Sequence, residues 1–140
     1  MNQVVGQGKG SRKGSAAIRI PETGEYVFDV EADGRWQIDV VWPTPETAPV
    51  SEVPFTASGT GDQAVYFVLV QTGSHTLTMT HDGVGNFSVM PMTSEGRRYI
   101  DTLRGTGASM VSQEFTIRDH AFEFLMLNIR TNANWTVRIE

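Results

Sequence analysis

The chain contains three histidines, His75, His81 and His120, which are the side chains best suited to acid–base or metal chemistry. Asp82 and Asp119 stand beside two of them. Three imidazoles can bind zinc, and a histidine paired with a carboxylate is part of a serine-hydrolase triad. The sequence has no His-x-His pair and no Gly-x-Ser-x-Gly motif around a nucleophile. We therefore predict no enzymatic activity, no catalytic residue, no metal site and no cofactor, and we expect hydrogen-bonded histidines in or near turns.

A group of carboxylates could instead bind calcium through oxygen ligands. Asp29, Glu31, Asp33 and Asp39 crowd a stretch of eleven residues. They do not follow the spacing of a helix–loop–helix calcium site. We interpret them as the solvated outer face of a β-hairpin.

Composition excludes several classes of protein. The 140 residues suit one domain, and the absence of cysteine excludes a disulfide scaffold and thiol catalysis. A formal charge of −5 argues against a main domain that binds nucleic acid. No stretch approaches 18 apolar residues, so we expect no membrane insertion, and Met1–Val5 does not lead into the apolar run of a signal peptide.

One basic patch stands out against this acidic background. Lys9, Arg12 and Lys13 lie in the glycine-rich stretch from Gly6 to Gly14. We predict that residues 1–14 form an arm and that these three cations bind a partner or an acidic neighbour. The remaining residues, 15–140, are predicted to form one domain.

Aromatic residues offer a further candidate site. Trp36, Phe87 and Trp135 each begin an alternating apolar strand and are expected to fill the core. Trp42 breaks the alternation beside Pro43. We therefore expect Trp42 either to contact a ligand from an exposed position or to cover one end of the fold.

The elements that must position these residues are strands. Apolar residues alternate with polar ones along residues 26–32, 36–40, 77–79, 125–129 and 135–139, which is the pattern of half-buried strands. Turn signals such as Asp82-Gly83 separate them at short intervals and indicate hairpins. The pattern predicts an all-β fold, a two-sheet antiparallel β-sandwich of jelly-roll type with ten to twelve strands.

The chain also repeats itself. Residues 26–40 align without gaps on residues 125–139, and residues 77–89 form a middle copy with about two extra residues in its turn. A Gly-x-Gly precedes each copy, so we predict three related units of about 45–50 residues. Uneven spacing favours a sandwich over a β-trefoil or β-prism. The predicted core is Ile18, Ile20, Tyr26, Phe28, Val30, Trp36, Ile38, Phe67, Leu69, Leu77, Met79, Phe87, Phe115, Ile117, Leu125, Leu127, Trp135 and Val137.

Several of these motifs resemble one known type of module. Trp36-x-Ile38 leads to Trp42-Pro43 and a stretch from Pro54 to Asp62, followed by Thr80-His81-Asp82-Gly83-x-x-Asn86-Phe87 and a closing Asn134-Trp135-Thr136-Val137. This resembles a β-sandwich module of secreted and surface proteins of bacteria, especially actinobacteria, in which an "AdG-W-x-I" strand alternates with a "tHdG-x-x-NF" strand. The match runs from about Gly14 onward, and Ala133 departs from it by replacing a turn glycine. The resemblance implies a sandwich fold and no established activity.

These observations lead to one functional expectation and one alternative. We expect a non-catalytic structural or interaction module on a cell surface or a virus particle, anchored through its N-terminal arm to a protein partner or to further copies of itself. The alternative is an extracellular carbohydrate-binding or adhesion module that holds a glycan through Trp42.

Overall fold

Nine strands and no helix make up the regular structure of the computed structural model, which describes residues 5–118 and 124–140. The strands are β1 (Val50–Ser51), β2 (Phe55–Thr60), β3 (Gln63–Leu69), β4 (Gly73–His81), β5 (Asn86–Thr93), β6 (Leu103–Thr106), β7 (Ser109–Ile117), β8 (Leu125–Arg130) and β9 (Asn134–Ile139). The period of two is confirmed in β4 and β9, where alternate side chains are buried.

The strands form two sheets. One has the order β1-β3-β8-β5-β6 and the other the order β2-β9-β4-β7. Every neighbouring pair is antiparallel except the short pair of β1 and β3. Strands β2 to β9 follow the strand order of a jelly roll. The predicted all-β, two-sheet fold of jelly-roll type is confirmed.

The connections at one end of the sandwich cross from one sheet to the other, and we call them arches. They span residues 61–62, 82–85, 107–108 and 131–133. The prediction of a hairpin at Asp82-Gly83 is wrong, because β4 and β5 belong to different sheets. A hairpin and an arch share one sequence pattern, since both flanking strands point alternate residues into the same core. Four strand–arch–strand units therefore lie side by side, in the order β2/β3, β8/β9, β4/β5 and β6/β7.

Two Gly-x-Gly motifs close this arch end. Gly59 lies directly opposite Trp135, and Gly105 directly opposite Phe87, so each large ring covers a residue without a side chain. The second glycines, Gly61 and Gly107, have φ angles of +73° and +72°, which favour glycine. The Trp135 indole donates to the carbonyl oxygen of Gly61 at 3.0 Å. The two motifs therefore shape the arches at residues 61–62 and 107–108.

The core between the sheets matches the prediction for the second and third repeat copies. Leu77, Met79, Leu127, Val137 and Ile139 are at most 1% exposed. The predicted core residues from Phe67 onward are all buried, namely Phe67, Leu69, Leu77, Met79, Phe87, Phe115, Ile117, Leu125, Leu127, Trp135 and Val137.

The prediction for the first copy is wrong. Residues 16–49 contain no strand, which leaves nine strands in the described residues instead of ten to twelve. Ile20, Tyr26, Phe28, Trp36 and Ile38 are exposed, and Ile18 and Val30 are only half-buried. The physical reason is the lack of a paired neighbour: an apolar face is buried only when its strand closes onto a sheet.

A second apolar cluster covers the outer face of the five-stranded sheet. Met92, Phe124 and Met126 pack there against Ala17 and Ala48 from the N-terminal part of the chain. The Asn128 side chain, which is 5% exposed, accepts a hydrogen bond from the Ala17 amide at 3.3 Å and donates one to its carbonyl oxygen at 3.4 Å. The N-terminal chain is thus held on this face at two points, before and after the unpaired stretch.

Candidate functional site

The exposed apolar residues are concentrated between residues 20 and 42, which we call the apolar segment. It holds nine of the fourteen exposed large hydrophobic residues of the described chain. Trp36 is 61% exposed, Trp42 74% and Val27 90%. The nine are Ile20, Tyr26, Val27, Phe28, Trp36, Ile38, Val40, Val41 and Trp42. Large exposed apolar patches mark interaction sites in soluble proteins, so this concentration makes the segment a candidate site.

The apolar segment is held at its two ends and unpaired between them. Before it, Ala17 bonds Asn128, and Arg19 lies against Gly96 in the loop after β5. After it, a turn at residues 44–48 brings Ala48 back to the sheet, with the Ala48 amide donating to the Thr44 carbonyl oxygen at 2.9 Å. The same turn lowers the pKa of the exposed Glu46 carboxyl through a hydrogen bond from Thr44.

The hydrogen bonds within the apolar segment are local ones between near neighbours. The Tyr26 hydroxyl donates to the Glu22 carbonyl oxygen at 2.7 Å, and the Gln37 amide donates to both carboxylate oxygens of Asp39 at 3.0 Å. Among the described residues, no backbone–backbone hydrogen bond joins residues 20–42 to the rest of the chain. Its main-chain donors and acceptors therefore remain available to a pairing strand.

The charge of the whole chain is concentrated in the apolar segment. It carries six carboxylates and one arginine, a formal charge of −5, which equals the charge of the whole chain. The other residues balance ten acidic side chains against ten basic ones. The predicted hairpin face of Asp29, Glu31, Asp33 and Asp39 belongs to this unpaired, exposed segment and not to a sheet.

Sequence reasoning placed five exposed residues of the apolar segment in the core, because it weighed their alternation alone; they are Ile20, Tyr26, Phe28, Trp36 and Ile38. Two further signals were present. Pro21 and Pro43 bracket the stretch, and six of the 16 acidic residues of the chain fall in its 23 positions. Dense like charge disfavours burial of a lone hairpin. Val27, Val40 and Val41 are also exposed. Sequence reasoning did not single them out as candidate contacts, because alternation alone does not show whether a face is covered.

The basic arm is attached to the arch end by main-chain groups of Val5 and Ser15. The side chains of its three cations take no part in these hydrogen bonds. Arg130 Nη1 donates to the Val5 carbonyl oxygen at 2.9 Å and approaches Asp62 Oδ2 at 3.4 Å. The Ser15 amide donates to the Asp62 carbonyl oxygen at 3.0 Å, and Asp62 Oδ1 accepts the Thr131 amide at 2.9 Å.

Between these two attachments the predicted partner-binding residues Lys9, Arg12 and Lys13 are exposed. The Arg12 side chain lies over Gly8. Residues 1–4 of the predicted arm lie outside the described residues.

Trp42 and the surface depressions lie apart. A shallow depression of about 430 Å³ on the four-stranded sheet is lined by Ser58, Thr60, Thr80, Asn134 and Thr136, among others. A second, of about 740 Å³, lies over Phe87, Ser88, Arg104, Gly105 and Thr131 and their neighbours. Trp42 lines neither of these two depressions.

The two described histidines, His75 and His81, are buried in the sandwich. His81 is 1% exposed; its Nδ1–H donates to the Gly107 carbonyl oxygen at 2.9 Å, and its Nε2 accepts from the Thr131 hydroxyl at 2.7 Å. This assignment follows because a carbonyl oxygen can only accept. Its ring stacks on Phe87 with centroids 4.4 Å apart. His75 bonds the Gln71 carbonyl oxygen at 3.0 Å.

The described residues do not bring the candidate triad together. The Asp82 carboxylate faces Asn134, accepting its backbone amide at 3.0 Å and its side-chain amide at 2.8 Å. Both ring nitrogens of His81 already have other partners. His120 and Asp119 lie outside the described residues. Within residues 5–118 and 124–140, no group of three or more histidines and carboxylates is arranged to hold a metal ion.

Comparisons with known proteins do not identify a function for the site. Neither the protein-family models nor the curated proteins contain a match to this chain. In the described parts of the chain, no helix is long and apolar enough to cross a membrane.

Proposed function

We propose that this protein is a non-catalytic structural module that binds protein surfaces and is displayed on a cell envelope or a virus particle. The observation that carries the proposal is the apolar segment, which exposes nine large hydrophobic side chains beside a jelly-roll core that is formed without them. A chain that only had to fold would gain by burying them.

The exposed area is of the size that protein partners bury. Tyr26, Phe28, Trp36 and Trp42 are 52, 44, 61 and 74% exposed. A large aromatic side chain presents about 150–250 Å², so these four leave roughly 350–600 Å² in water. The five aliphatic residues bring the total to the order of the ~800 Å² that each partner contributes to a standard interface.

The basic arm supplies a second contact in this proposal. Lys9, Arg12 and Lys13 give residues 6–14 a charge of +3, while the apolar segment carries −5. Opposite charges on two separate exposed stretches favour contacts between modules or with an acidic support. The arm is the anchor, and the apolar segment is the docking surface.

A photo-crosslinking experiment tests the proposal. Benzoylphenylalanine replaces Val27, which is 90% exposed, or Val84 as a matched control that is 93% exposed on an arch. The protein is irradiated on the cells or particles that carry it. We expect one discrete crosslinked protein from position 27 and none from position 84. Equal products from both positions, or none from position 27, would overturn the proposal.

The exposure of Trp42 favours a second candidate, a glycan-binding module. An aromatic face at 74% exposure can stack on a sugar ring. Binding on a glycan array that is lost in Trp42→Ala and kept in Trp36→Ala would support this candidate. An array without signal would exclude it and leave the protein-binding proposal untouched.

A further inference from the structure

The four strand–arch–strand units form a stack that is open at one edge. Each unit contributes one strand to each sheet, and neighbouring units run in opposite directions. At one edge, β1 adds a parallel strand beside β3 and breaks the pattern. At the other edge, β6 and β7 belong to one unit, and no described strand pairs with their outer sides.

The inner face of the sandwich is incompletely covered at this open edge. Phe115 and Ile117 of β7 are buried, but Val111 and Gln113 nearer the arch are only half-buried, although all four point to the core side. A further unit beside β7 would cover them. Edge strands carry unpaired main-chain groups and accept added strands.

The apolar segment contains the sequence of such a unit. Residues 26–40 align without gaps on residues 125–139, which form the unit β8/β9. Trp36 takes the position of Trp135, and Asp33-Gly34 takes the position of an arch. These residues form no strand in their own chain.

We propose that residues 26–40 add to the open β6/β7 edge of a second copy of this chain as a fifth strand–arch–strand unit. This rests on the proposed function, whose docking surface it assigns. In its own chain the segment is flanked by Ala17 and Ala48, which pack on the outer face of the five-stranded sheet, and no described strand pairs with that chain's open edge. A second copy offers the same edge without that tether.

The alternation of strand directions fixes which strand each half of the segment pairs with, and the repeat alignment then fixes the register. The strand beside β7 must run towards the arch, so residues 26–32 pair with β7 and residues 36–40 with β6. His81 pairs with Ser109 and corresponds to Ala32, which places Val30 opposite Val111 and Phe28 opposite Gln113. Phe87 pairs with Gly105 and corresponds to Trp36, which places Trp36 opposite Gly105 and Ile38 opposite Leu103.

This register places apolar side chains over the half-buried part of the inner face and brings one carboxylate near an arginine on the outer face. Phe28 and Val30 cover the half-buried Gln113 and Val111. On the outer face, Asp39 of the segment lies diagonal to Arg104 of β6, a distance that long side chains span. The apolar segment, whose net charge is negative, therefore brings a carboxylate near an arginine of the edge strand β6.

Disulfide trapping tests the inference, because the chain has no cysteine of its own. Asp29→Cys and Ser112→Cys face each other in the proposed register and point outward. The two single variants, one of them labelled with ¹⁵N, are mixed, oxidised and digested. Asp29→Cys mixed with Ser58→Cys, on edge strand β2 of the same sheet, is the matched control.

We expect the linked 29–112 peptide to exceed the 29–58 peptide at least roughly tenfold, since a disulfide forms only between Cα atoms within about 7 Å. A variant that carries both cysteines, Asp29→Cys and Ser112→Cys, tests for a link within one molecule. Such a link would overturn the inference, as would a preference for position 58 or the absence of any link. A crosslink from position 27 to a different protein, with no 29–112 link, would retain the proposed function and reject this pairing.

Discussion

The hydroxyl of Thr60 donates a hydrogen bond of 2.6 Å to the side-chain oxygen of Asn134, which lies directly opposite it on β9. Thr106 and Asn86 repeat this relationship between β6 and β5, at 2.8 Å. In both cases the threonine is the middle residue of a Gly-x-Gly motif, and the asparagine precedes the aromatic that covers the first glycine. Two pairs of neighbouring units thus share the same local arrangement at the arch end.

Replacing Asn134 with Ala is expected to cost more stability than replacing Asn86 with Ala. Asn134 Nδ2 also donates to Asp82 at 2.8 Å, so its loss leaves two partners without this side chain. We expect Asn134→Ala to lower the free energy of unfolding by about 1–3 kcal/mol. Urea denaturation of both variants measures the difference, and equal losses would contradict it.

A methyl group at Gly59 is expected to destabilise the fold. A Cβ there would lie 2.5 Å from Trp135 Cζ2, and the ring cannot withdraw from a packed core. We expect Gly59→Ala to cost about 1–3 kcal/mol. Gly24→Ala is the control, because a Cβ there meets nothing within 4 Å. Thermal unfolding distinguishes the two, and a neutral Gly59→Ala would show that the ring moves freely.

Trp36 and Trp135 occupy equivalent repeat positions but opposite environments, with exposures of 61% and 3%. In dilute protein, where association is absent, Trp36→Ala is expected to change the free energy of unfolding by less than about 0.5 kcal/mol. Trp135→Ala is expected to cost about 3–5 kcal/mol. Chemical denaturation followed by circular dichroism gives both values. A large loss in Trp36→Ala would place Trp36 in the core of the monomer.

Tyr99 makes stability depend on pH in the alkaline range. Its hydroxyl donates to the Thr116 carbonyl oxygen, and burial raises its pKa above the ordinary value of 10.0, against a lowering by Arg118. The folded protein therefore holds this proton more tightly than the unfolded chain. Its contribution is complete below about pH 10 and is lost as the pH rises further.

Comparing the wild type with Tyr99→Phe isolates this contribution from that of other tyrosines. The difference in unfolding free energy between the two proteins should be constant from pH 7 to pH 9 and should shrink above pH 10. Urea denaturation at each pH provides the measurement. A difference that grows with pH would reverse the sign of the argument.

The sheet architecture was predictable from sequence where alternation coincided with pairing. Leu77 and Met79, or Val137 and Ile139, point inward because each strand has neighbours on both sides. The same alternation in Tyr26 and Phe28 gave the wrong environment, since periodicity reports which residues share a face and not whether the face is covered. The sequence likewise could not distinguish a hairpin from an arch at Asp82-Gly83, because the distinction depends on which distant strands pair with β4 and β5.

The candidate site was predictable only in part. The exposed arm residues Lys9, Arg12 and Lys13 and the exposed Trp42 lie where a simple interpretation of charge and alternation places them. The exposure of the apolar segment was signalled only indirectly, by its prolines and its density of carboxylates, because the exposure of Trp36 or Val40 is a property of the whole fold. Partner binding by any of these residues stays a prediction.

The placement of the arm and of β9 on the sandwich has a mechanical consequence. The arm is attached at the arch end through Asp62, whereas β9 runs from that end to Ile139 at the opposite one, between β2 and β4. A pull between an anchored arm and the end of β9 runs parallel to the strands. Under such a load β9 can leave the sheet only by shearing its hydrogen bonds to β2 and β4 together, whereas a sideways pull would open them one at a time. Strand β9 is therefore placed to carry load along the strand direction, at the end of the sandwich opposite the arm.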